Sequence, residues 1–500
     1  MNPLQVQHGA ANPPYILALD IGTSHARALL FDRHGNAVPG IEGRQPYQFT
    51  ILPEEGIEAD AEALLNQVFR SIDLAIQQSG SLAGQIVGVA SCTFVSNILG
   101  INQNGTAVTP LFPYSDTRPK AETHLLRKQF DEETVHQRVG CYFHSSYLPA
   151  RLLWLQRINP DVFEKTLRWV SLGEFMWLKL FGTAAVSYSA ASWTGLLNRK
   201  HLVWDEELLE RLPVQPNSLS TLRDINQPNQ GLRAEFKQRW PTLAEIPWFP
   251  AIGDGAAANI GSGCTSSERV TISIGSTSAV RAVFKNEIEH IPAGLWCYRV
   301  DRGRALLGGA LTEGGNLFNW LKKLIRIDPI PDLETALLQT TPGAHGLTFL
   351  PLIAGERSPG WADDAAGSIT GLTLATTPLD LLQAGLEGVI CRIAQVYELV
   401  MQALPSQPQI IASGGAAMHS PFMLSRLADA LGQPVYPSAM GEVSARGAAL
   451  LAMETLGIIQ EVGDFLPCVG EAYHPDAERH RRLQAMLRSQ KKFYRQVFSA

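Results

Sequence analysis

The stretch YILALDIGTSHARALLF (residues 15–31) joins two apolar runs through a turn that contains a glycine and two hydroxyl residues. The first run ends in one carboxylate, Asp20, and the turn follows as Gly22, Thr23 and Ser24. Short apolar runs bounded by such a turn are typical of strands. Successive backbone N–H groups and hydroxyls in a tight turn form a good site for an anion. The stretch therefore predicts a strand–turn–strand unit whose turn binds phosphate.

A second copy of this pattern occurs in the other half of the chain, as RVTISIGSTSAVRAVF (residues 269–284). At a constant offset, Gly275, Ser276 and Thr277 align with the glycine and the two hydroxyl residues of the first turn. The match indicates that the two halves share a supersecondary unit, the alternative being two unrelated hairpins. Two such turns on equivalent halves can hold one polyphosphate from opposite sides.

The two copies differ in the residue that precedes the turn by two positions. The first copy has Asp20 there, whereas the second has Ser273. One carboxylate beside a phosphate site is what Mg²⁺ needs, usually with water molecules as further ligands. The alternative is a capped strand end or a buried hydrogen bond. We interpret Asp20 as the partner of a magnesium ion.

A second carboxylate, Asp254, lies in the segment GDGAAANIGSG (residues 253–263) among small residues only. We expect such a site to be open enough for a substrate to reach the side chain. A single aspartate is a sufficient proton acceptor for phosphoryl transfer, because positioning and charge neutralisation do most of the catalytic work. The alternative is an Asx turn, which is common for Asp-Gly.

The bulk properties narrow the class of protein. Five hundred residues exceed one ordinary core and predict two large domains or three smaller ones. A net charge of −6 without a basic stripe argues against nucleic-acid binding. The six cysteines lack C-x-x-C spacing, which favours reduced thiols in a cytosolic protein over zinc or disulfides. We expect no signal peptide and no membrane span, and a loose tail over residues 1–14.

Strand-like and helical patterns alternate along the chain, which is typical of an α/β fold. The sequence contains neither a P-loop nor a nucleophile-elbow motif. Gly-Gly pairs occur in GGALTEGGN (residues 308–316) and ASGGAAMH (residues 412–419). A Gly-Gly pair at a strand end lets a flat ring lie against the backbone, as adenine would, although a plain tight turn explains it equally well.

Several of these blocks occur in the order that is typical of one family, and the chain resembles the FGGY carbohydrate kinases of the actin-like ATPase superfamily. The resemblance extends from Ile16 to about Gly457. The blocks that carry it are LDIGTSHARALLF, GDGAAANIGSG, SIGSTSAV, GGALTEGGNLFNWL, GERSPGWADDAAGSITGL and SGGAAMHSP.

The resemblance implies two ribonuclease-H-like domains with a catalytic cleft between them. After the tail over residues 1–14, residues 15–248 would form the sugar-binding domain and residues 249–500 the ATP-binding domain. The cofactors would be ATP and Mg²⁺, and the partner a small sugar or sugar acid. A cytoplasmic enzyme is implied, with a homodimer as one of the assemblies found in the family.

The resemblance also assigns roles to individual residues. Asp254 would be the general base, and Asp20 would order Mg²⁺. Thr23, Ser24 and Arg27 would face the transferring phosphate. The residues expected to hold the β- and γ-phosphates are Gly275, Ser276 and Thr277. Those expected to line the nucleotide are Gly315, Asn319, Gly414, Gly415 and His419.

The expected sugar-binding residues are Thr93, Phe94, Asp116 and His144, together with Asp254. Xylulose kinases of the family carry Met-His where this chain has Thr93 and Phe94, which argues against xylulose. Asp116, in FPYSDTR, would accept hydrogen bonds from sugar hydroxyls, with Arg118 orienting it.

The block VGCYFHSSYLPARLLWL (residues 139–155) resembles the gluconate kinase subgroup, so His144 would meet a carboxylate, the alternative being a loop histidine that caps a helix. One departure is Ala366, where that subgroup usually has arginine.

We therefore predict ATP-dependent phosphorylation of gluconate or a related polyol acid. The alternative within the family is a kinase for a pentulose or pentitol such as ribulose, xylulose or ribitol. An alternative from another class is a non-catalytic, nucleotide-gated binding protein related to actin.

Overall fold

The structure is a computed structural model that describes residues 11–53, 56–326 and 332–498. Its strands, in chain order, are β1 (Tyr15–Ile21), β2 (His25–Phe31), β3 (Ala37–Pro46), β4 (Thr50–Ile51), β5 (Ile57–Glu58), β6 (Ile86–Thr93), β7 (Leu99–Ile101), β8 (Arg168–Val170), β9 (Ala185–Ser187), β10 (Leu197–Asn198), β11 (Val203–Trp204), β12 (Thr221–Arg223), β13 (Ile252–Gly253), β14 (Arg269–Ile274), β15 (Ser278–Lys285), β16 (Trp296–Arg299), β17 (Arg304–Leu311), β18 (Thr348–Leu350), β19 (Ser368–Thr370), β20 (Gln409–Ser413) and β21 (Val435–Pro437).

The α-helices, in chain order, are α1 (Ala61–Ser79), α2 (Lys120–Gln129), α3 (Glu132–Val139), α4 (Leu148–Ile158), α5 (Pro160–Lys165), α6 (Leu172–Phe181), α7 (Tyr188–Ser192), α8 (Glu206–Leu209), α9 (Ala234–Arg239), α10 (Asp254–Gly261), α11 (Gly315–Leu324), α12 (Leu333–Leu338), α13 (Pro378–Met401), α14 (Gly415–Met418), α15 (Pro421–Leu431), α16 (Val443–Thr455) and α17 (Ala477–Phe498). Short 3₁₀ helices span Gly80–Gln85, Pro216–Ser218, Pro241–Leu243 and Val462–Asp464. No helix among the described residues is both long and apolar enough to cross a membrane.

The chain divides into two compact units. The first contains the described residues up to Gly263, together with Tyr298–Ala305 and Gly441–Leu466. The second contains Cys264–Cys297, Leu306–Met440 and the described residues from Pro467 onward.

The first unit is built on a mixed sheet in the order β13-β6-β1-β2-β3. The hairpin of β1 and β2 is antiparallel, whereas β6 runs parallel to both β1 and β13. Alternate β1 residues, such as Leu17 and Leu19, lie in the core that contains α1, and Ile16 on the other face approaches Leu456 beside α16. Helices thus cover both faces of β1, which explains why this strand is buried along its whole length.

The second unit repeats this arrangement. Its sheet has the order β16-β17-β15-β14-β20-β21. Strand β14 is antiparallel to β15 and parallel to β20. In the same way, β1 is antiparallel to β2 and parallel to β6. The predicted supersecondary repeat is therefore confirmed.

The long helix α13 is the centre of the second unit, where it packs against α15 and α17. Its N-terminus is a capping box in which the Thr377 hydroxyl accepts a hydrogen bond from the Asp380 N–H and the Asp380 carboxylate accepts from the Thr377 N–H. Helix α15 ends at Gly432, whose φ is +65°. The capping residues therefore explain where α13 begins and where α15 ends.

The compact units do not coincide with the predicted division into residues 15–248 and 249–500. The reason is that β13 extends the sheet beside β6, and α10 and α16 pack on that sheet. Of the predicted tail, residues 1–10 lie outside the described residues. Ala11 packs against the core of the first unit and accepts a hydrogen bond from the Tyr15 hydroxyl, so the chain is already anchored there.

Candidate active site

The first predicted phosphate turn is a tight hairpin between β1 and β2. The Gly22 N–H donates to the His25 carbonyl at 3.1 Å, and the Tyr47 hydroxyl donates to the Gly22 carbonyl. Thr23 and Ser24 are exposed at its tip. The two hydroxyl residues are therefore accessible to a ligand.

Asp20 is paired with Arg27, its neighbour across the hairpin. Arg27 Nη2 donates to Asp20 Oδ2 at 2.5 Å, and Arg27 Nη1 contacts the carboxylate of Glu442. Burial opposes the charge of Arg27, but the two carboxylates outweigh it, so the pKa of Arg27 is raised. Arg27 is consequently held between two acidic groups.

Asp20, the predicted magnesium partner, and Asp254, the predicted general base, lie at one edge of the first unit's sheet. Parallel pairing sets Asp20 and Ile252 beside Cys92, and Asp254 begins α10 two residues beyond Ile252. Burial raises the pKa of the Cys92 thiol well above its ordinary value, and the charges of Asp20 and Asp254 raise it further. Both carboxylates therefore act on the same buried thiol, which also donates to Asp20 Oδ1 at 3.4 Å.

Asp20 fits a magnesium site only in combination with ligands from outside the chain. Within the described ranges no group of three or more His, Cys, Asp or Glu residues is arranged to hold a metal ion. Mg²⁺ in kinases is commonly bound by one or two carboxylates, with phosphate oxygens and water completing the shell. A single buried carboxylate beside an accessible phosphate turn meets that description.

The segment that follows β6 contains two of the expected sugar-binding residues. Thr93 ends the strand in the same row as Ile21 and Gly253. Phe94 has no exposed surface, and its ring meets that of Phe49 edge-on at 5.9 Å between centroids. Thr93 thus lies at the carboxyl edge of the sheet, whereas Phe94 packs in the core.

Asp116 is a fully buried carboxylate bound by Arg118. Arg118 Nε donates to both carboxylate oxygens at 3.0 and 3.1 Å, and Nη2 donates to Oδ2 at 2.5 Å. The guanidinium lies 4.7 Å from the ring centroid of Trp154. The orienting role predicted for Arg118 agrees with this geometry.

Arg151 joins Asp116 to the segment after β6, and sequence reasoning missed it. Its Nη1 donates to the Ser96 carbonyl at 2.7 Å, and its Nη2 lies 3.4 Å from the carbonyls of Asp116 and Ser145. Burial lowers the pKa of Arg151 to about 10. The only available signal was a lone arginine within the apolar run LPARLLWL.

A series of ring contacts leads from His144 toward Asp254. His144 Nδ1 accepts from the Ser146 N–H at 3.1 Å, and its ring lies 6.4 Å from that of Tyr147. The Tyr147 and Tyr298 hydroxyls are 2.5 Å apart, and Tyr298 stacks on Trp193 at 3.8 Å.

Trp193 is the last ring of this series, and it lies beside Gly253, the residue before the predicted general base. A Cβ atom at Gly253 would lie 2.7 Å from Trp193 Nε1, so this position requires glycine. The indole therefore contacts the residue that precedes Asp254.

The small residues that follow Asp254 in α10 form a close contact with α16. Ala256, Ala257 and Gly261 of α10 are buried, and α10 packs closely on α16. A Cβ atom at Gly261 would lie 1.8 Å from the Val443 carbonyl oxygen, and one at Gly447 would lie 1.9 Å from that of Ala257. Backbone-to-backbone contact between the two helices requires the small residues.

In the second unit, the other predicted phosphate turn packs on the start of α11. The Gly275 N–H donates to the Thr277 carbonyl at 2.9 Å, while the Gly275 carbonyl accepts from the Gly315 N–H at 2.7 Å. Ser276 is exposed, and its carbonyl accepts from the Asn316 N–H at 3.1 Å.

The two Gly-Gly blocks meet at this turn. A Cβ atom at Gly314 would lie 2.8 Å from the Gly275 carbonyl oxygen, and one at Gly414, whose φ is +89°, would lie 2.5 Å from that of Ile274. Three blocks that the sequence assigns to the nucleotide are therefore adjacent, and glycine is required where their backbones touch.

A mostly apolar cavity of about 310 Å³ opens beside these glycines. Of the residues predicted to line the nucleotide, it includes Gly315 and His419, but neither Gly414 nor Gly415, and Asn319 lies exposed on α11 outside the lining. Sequence reasoning did not identify most of the residues that line this cavity. The lining residues that it did not name are Ile274, Gly314, Phe318, Leu333, Glu334, Leu337, Leu386, Ala416, Ser420 and Met423. Phe318 was accessible to prediction, because it follows Gly315 by one helical turn.

Comparison with known proteins gives a consistent result across the chain. The profile of the N-terminal domain of the FGGY family of carbohydrate kinases matches residues 15–261, and that of its C-terminal domain matches residues 270–456. The chain belongs to the FGGY family of carbohydrate kinases. An FGGY kinase is a phosphotransferase, so the predicted family, actin-like fold class and enzyme class are confirmed.

Individual relatives of this FGGY kinase differ in their named substrates. A gluconokinase of Bacillus licheniformis is 23% identical over 95% of this chain and 94% of its own length. A xylulose kinase of Staphylococcus xylosus is 24% identical over 88% of this chain and 90% of its own length. The crystal structure of a gluconate kinase from Lactobacillus acidophilus has a TM-score of 0.87 at 22% identity, covering 97% of this chain and 98% of that one. The FGGY kinase therefore shares its fold with these enzymes, and the roles of its single residues stay predictions.

Proposed function

We propose that this kinase transfers the γ-phosphate of ATP to a hydroxyl group of gluconate or a related polyol acid. The observation that carries the proposal is the position of Asp20 and Asp254 at one carboxyl edge of the sheet, beside an accessible phosphate turn. A kinase needs a carboxylate that can hold Mg²⁺ close to a proton acceptor, and Asp20 and Asp254 would supply these two groups.

In the proposed reaction Asp254 accepts the proton of the acceptor hydroxyl as its oxygen bonds to the γ-phosphorus. The bond between that phosphorus and the β,γ-bridging oxygen breaks, and ADP leaves. Thr23, Ser24 and Arg27 donate to the transferring phosphoryl group. Asp20 would hold Mg²⁺, which neutralises phosphate charge when bound.

The second unit would hold the nucleotide. Gly275, Ser276 and Thr277 would bind the β- and γ-phosphates through the turn. The cavity beside Gly315 and His419 is apolar enough for adenine, and it falls within the volume range that is usual for small-molecule sites. Gly414 and Gly415 would border the nucleotide from the neighbouring turn, and Asn319 from the outer face of α11.

The preference for a sugar acid has its support in His144 and in the relatives named as gluconokinases. Thr93 and Asp116 would contact the sugar hydroxyls. Ala366, which departs from the subgroup pattern, is exposed and does not line the cavity of the second unit. The second candidate is a pentulose or pentitol kinase, which the similarity to a xylulose kinase supports.

The test is sugar-dependent ADP release by the purified protein with ATP and Mg²⁺, over gluconate, xylulose, ribulose, ribitol and glycerol. We expect gluconate to give the highest kcat/KM. Asp254→Asn should lower kcat by about 10²- to 10⁴-fold with ATP binding retained, because a general base supplies about that factor. Asp161→Asn, an exposed position on α5, is the matched control. Full activity in Asp254→Asn would refute the assignment of the base.

Two further properties stay predictions: a homodimer, which analytical ultracentrifugation tests, and a cytoplasmic location, which cell fractionation tests.

A further inference from the structure

Glu442 has an unusual backbone conformation for its residue type. It precedes α16 with φ 54° and ψ 32°, in the left-handed region that favours glycine. A glutamate in this region is disfavoured unless its surroundings hold it there, and such residues cluster at functional sites.

The side chain of Glu442 reaches Arg27. Arg27 Nη1 contacts the Glu442 carboxylate, while Nη2 donates to Asp20 at 2.5 Å. The two terminal nitrogens of one planar guanidinium are thus held by different carboxylates. Without Glu442, both nitrogens would be free to pair with Asp20, as the fork geometry of arginine favours.

The same helix pair also sets the position of Asp254. Asp254 begins α10, Glu442 precedes α16, and the two helices touch backbone to backbone through Gly261 and Gly447. A helix contact this close leaves little room for sliding. Glu442 is therefore fixed relative to the proposed general base.

We propose that Glu442 is a positioning residue that holds Arg27 in place for the transferring phosphoryl group and keeps it from closing on Asp20. This inference rests on the proposed function, because it takes Arg27 and Asp20 in the roles given above. Glu442 itself touches neither substrate in this proposal. Its effect on the reaction passes entirely through the guanidinium of Arg27.

The test compares two substitutions at this position with a control on the same helix. Glu442→Gln removes the charge but keeps the side-chain length, and Glu442→Gly removes the side chain while relieving the backbone. We expect both variants to lose kcat by about 10- to 100-fold, the usual effect of removing the partner that orients an active group. KM for ATP and for the sugar should change by less than about twofold, since the lost contact matters in the transition state.

The matched control is Glu454→Gln. Glu454, in α16 but near its other end, pairs with Arg304 at 2.6 Å. Its loss should lower the melting temperature and leave kcat unchanged. A second measurement, ADP binding by calorimetry, should be the same in all variants.

The outcomes separate this proposal from the one on which it rests. Wild-type kcat in Glu442→Gln, or a loss confined to Glu442→Gly, would overturn the positioning role while sugar-dependent ADP release by the wild type still supports the kinase. A general rise in both KM values would also overturn it, because that pattern indicates a structural defect. If the glutamine variant fails to fold, the glycine variant still carries the test. Absence of sugar-dependent ADP release in the wild type would instead reject the proposed function.

Discussion

Replacing Gly447 by alanine tests whether the contact between α10 and α16 is as close as the structure indicates. The new Cβ atom would lie 1.9 Å from the Ala257 carbonyl oxygen and 2.9 Å from the Gly261 nitrogen. Real Cβ atoms essentially never approach another atom closer than 3.0 Å, so the helices must separate by about 1 Å. The obstacle is backbone and cannot rotate away.

Two opposing effects decide the size of the change. Glycine to alanine inside a helix stabilises by about 1 kcal/mol. Overpacking costs about 1–3 kcal/mol, and a backbone clash belongs at the upper end of that range. The net loss is therefore about 2 kcal/mol, which corresponds to roughly 3 °C in the melting temperature of a unit of about 300 residues, at about 2.1 cal/mol/K of unfolding entropy per residue.

Differential scanning calorimetry of the wild type, Gly447→Ala and a control measures this change. Gly84→Ala is the control, because it lies in a 3₁₀ helix of the same unit and its Cβ would meet nothing within 4 Å. We expect the control to keep or slightly raise the melting temperature. A melting temperature for Gly447→Ala equal to that of the wild type would refute the close contact, and an equal loss in the control would refute the clash as its cause.

Three further predictions concern the second unit. Burial raises the pKa of Glu313 from 4.5 to about 7. The protonated carboxyl group therefore stabilises the folded state fully below pH 4.5. This contribution, about 3 kcal/mol in total, is lost as the pH rises to about 7. Glu313→Gln should therefore weaken the pH dependence of the denaturant midpoint across this range, and a pH dependence equal to that of the wild type would contradict the assignment. Ala416→Leu should reduce the cavity and weaken ATP binding in calorimetry by at least about tenfold, with the melting temperature unchanged; wild-type affinity would exclude the cavity as the nucleotide site. Tyr494→Phe removes the hydroxyl that donates to the buried Glu356 at 2.5 Å, and it should cost about 1–3 kcal/mol in urea unfolding, whereas no loss would show that the bond contributes nothing.

The local parts of the site were predictable from the sequence because short-range rules govern them. A glycine and two hydroxyl residues between apolar runs fix a hairpin, and both hairpins formed as expected. The pairing of Asp20 with Arg27 also follows from hairpin register and could have been read from the sequence. Glu442 could not, because its contact with Arg27 joins distant parts of the chain.

Burial was harder to predict than position. Thr93 and Phe94 are adjacent, yet one ends a strand at the carboxyl edge and the other fills the core. Asp116 has no exposed surface, although a carboxylate suggests an open site. Its partner Arg118 lowers the free-energy cost of this burial, because transferring a paired charge out of water costs less than transferring an isolated one.

The small residues of α10 show what a pairwise comparison within the sequence adds. Taken alone, GDGAAANIGSG indicates open space around Asp254, and the small residues of VSARGAALLA (residues 443–452) allow close packing without indicating the partner. Each helix places its key contacts four residues apart, at Ala257 and Gly261 in one and at Val443 and Gly447 in the other. Matched spacing of this kind is a condition for two helices to touch along one face. Comparing the two segments with each other therefore predicts the contact that neither segment predicts alone, and it ties Asp254 to the helix that carries Glu442 at its start.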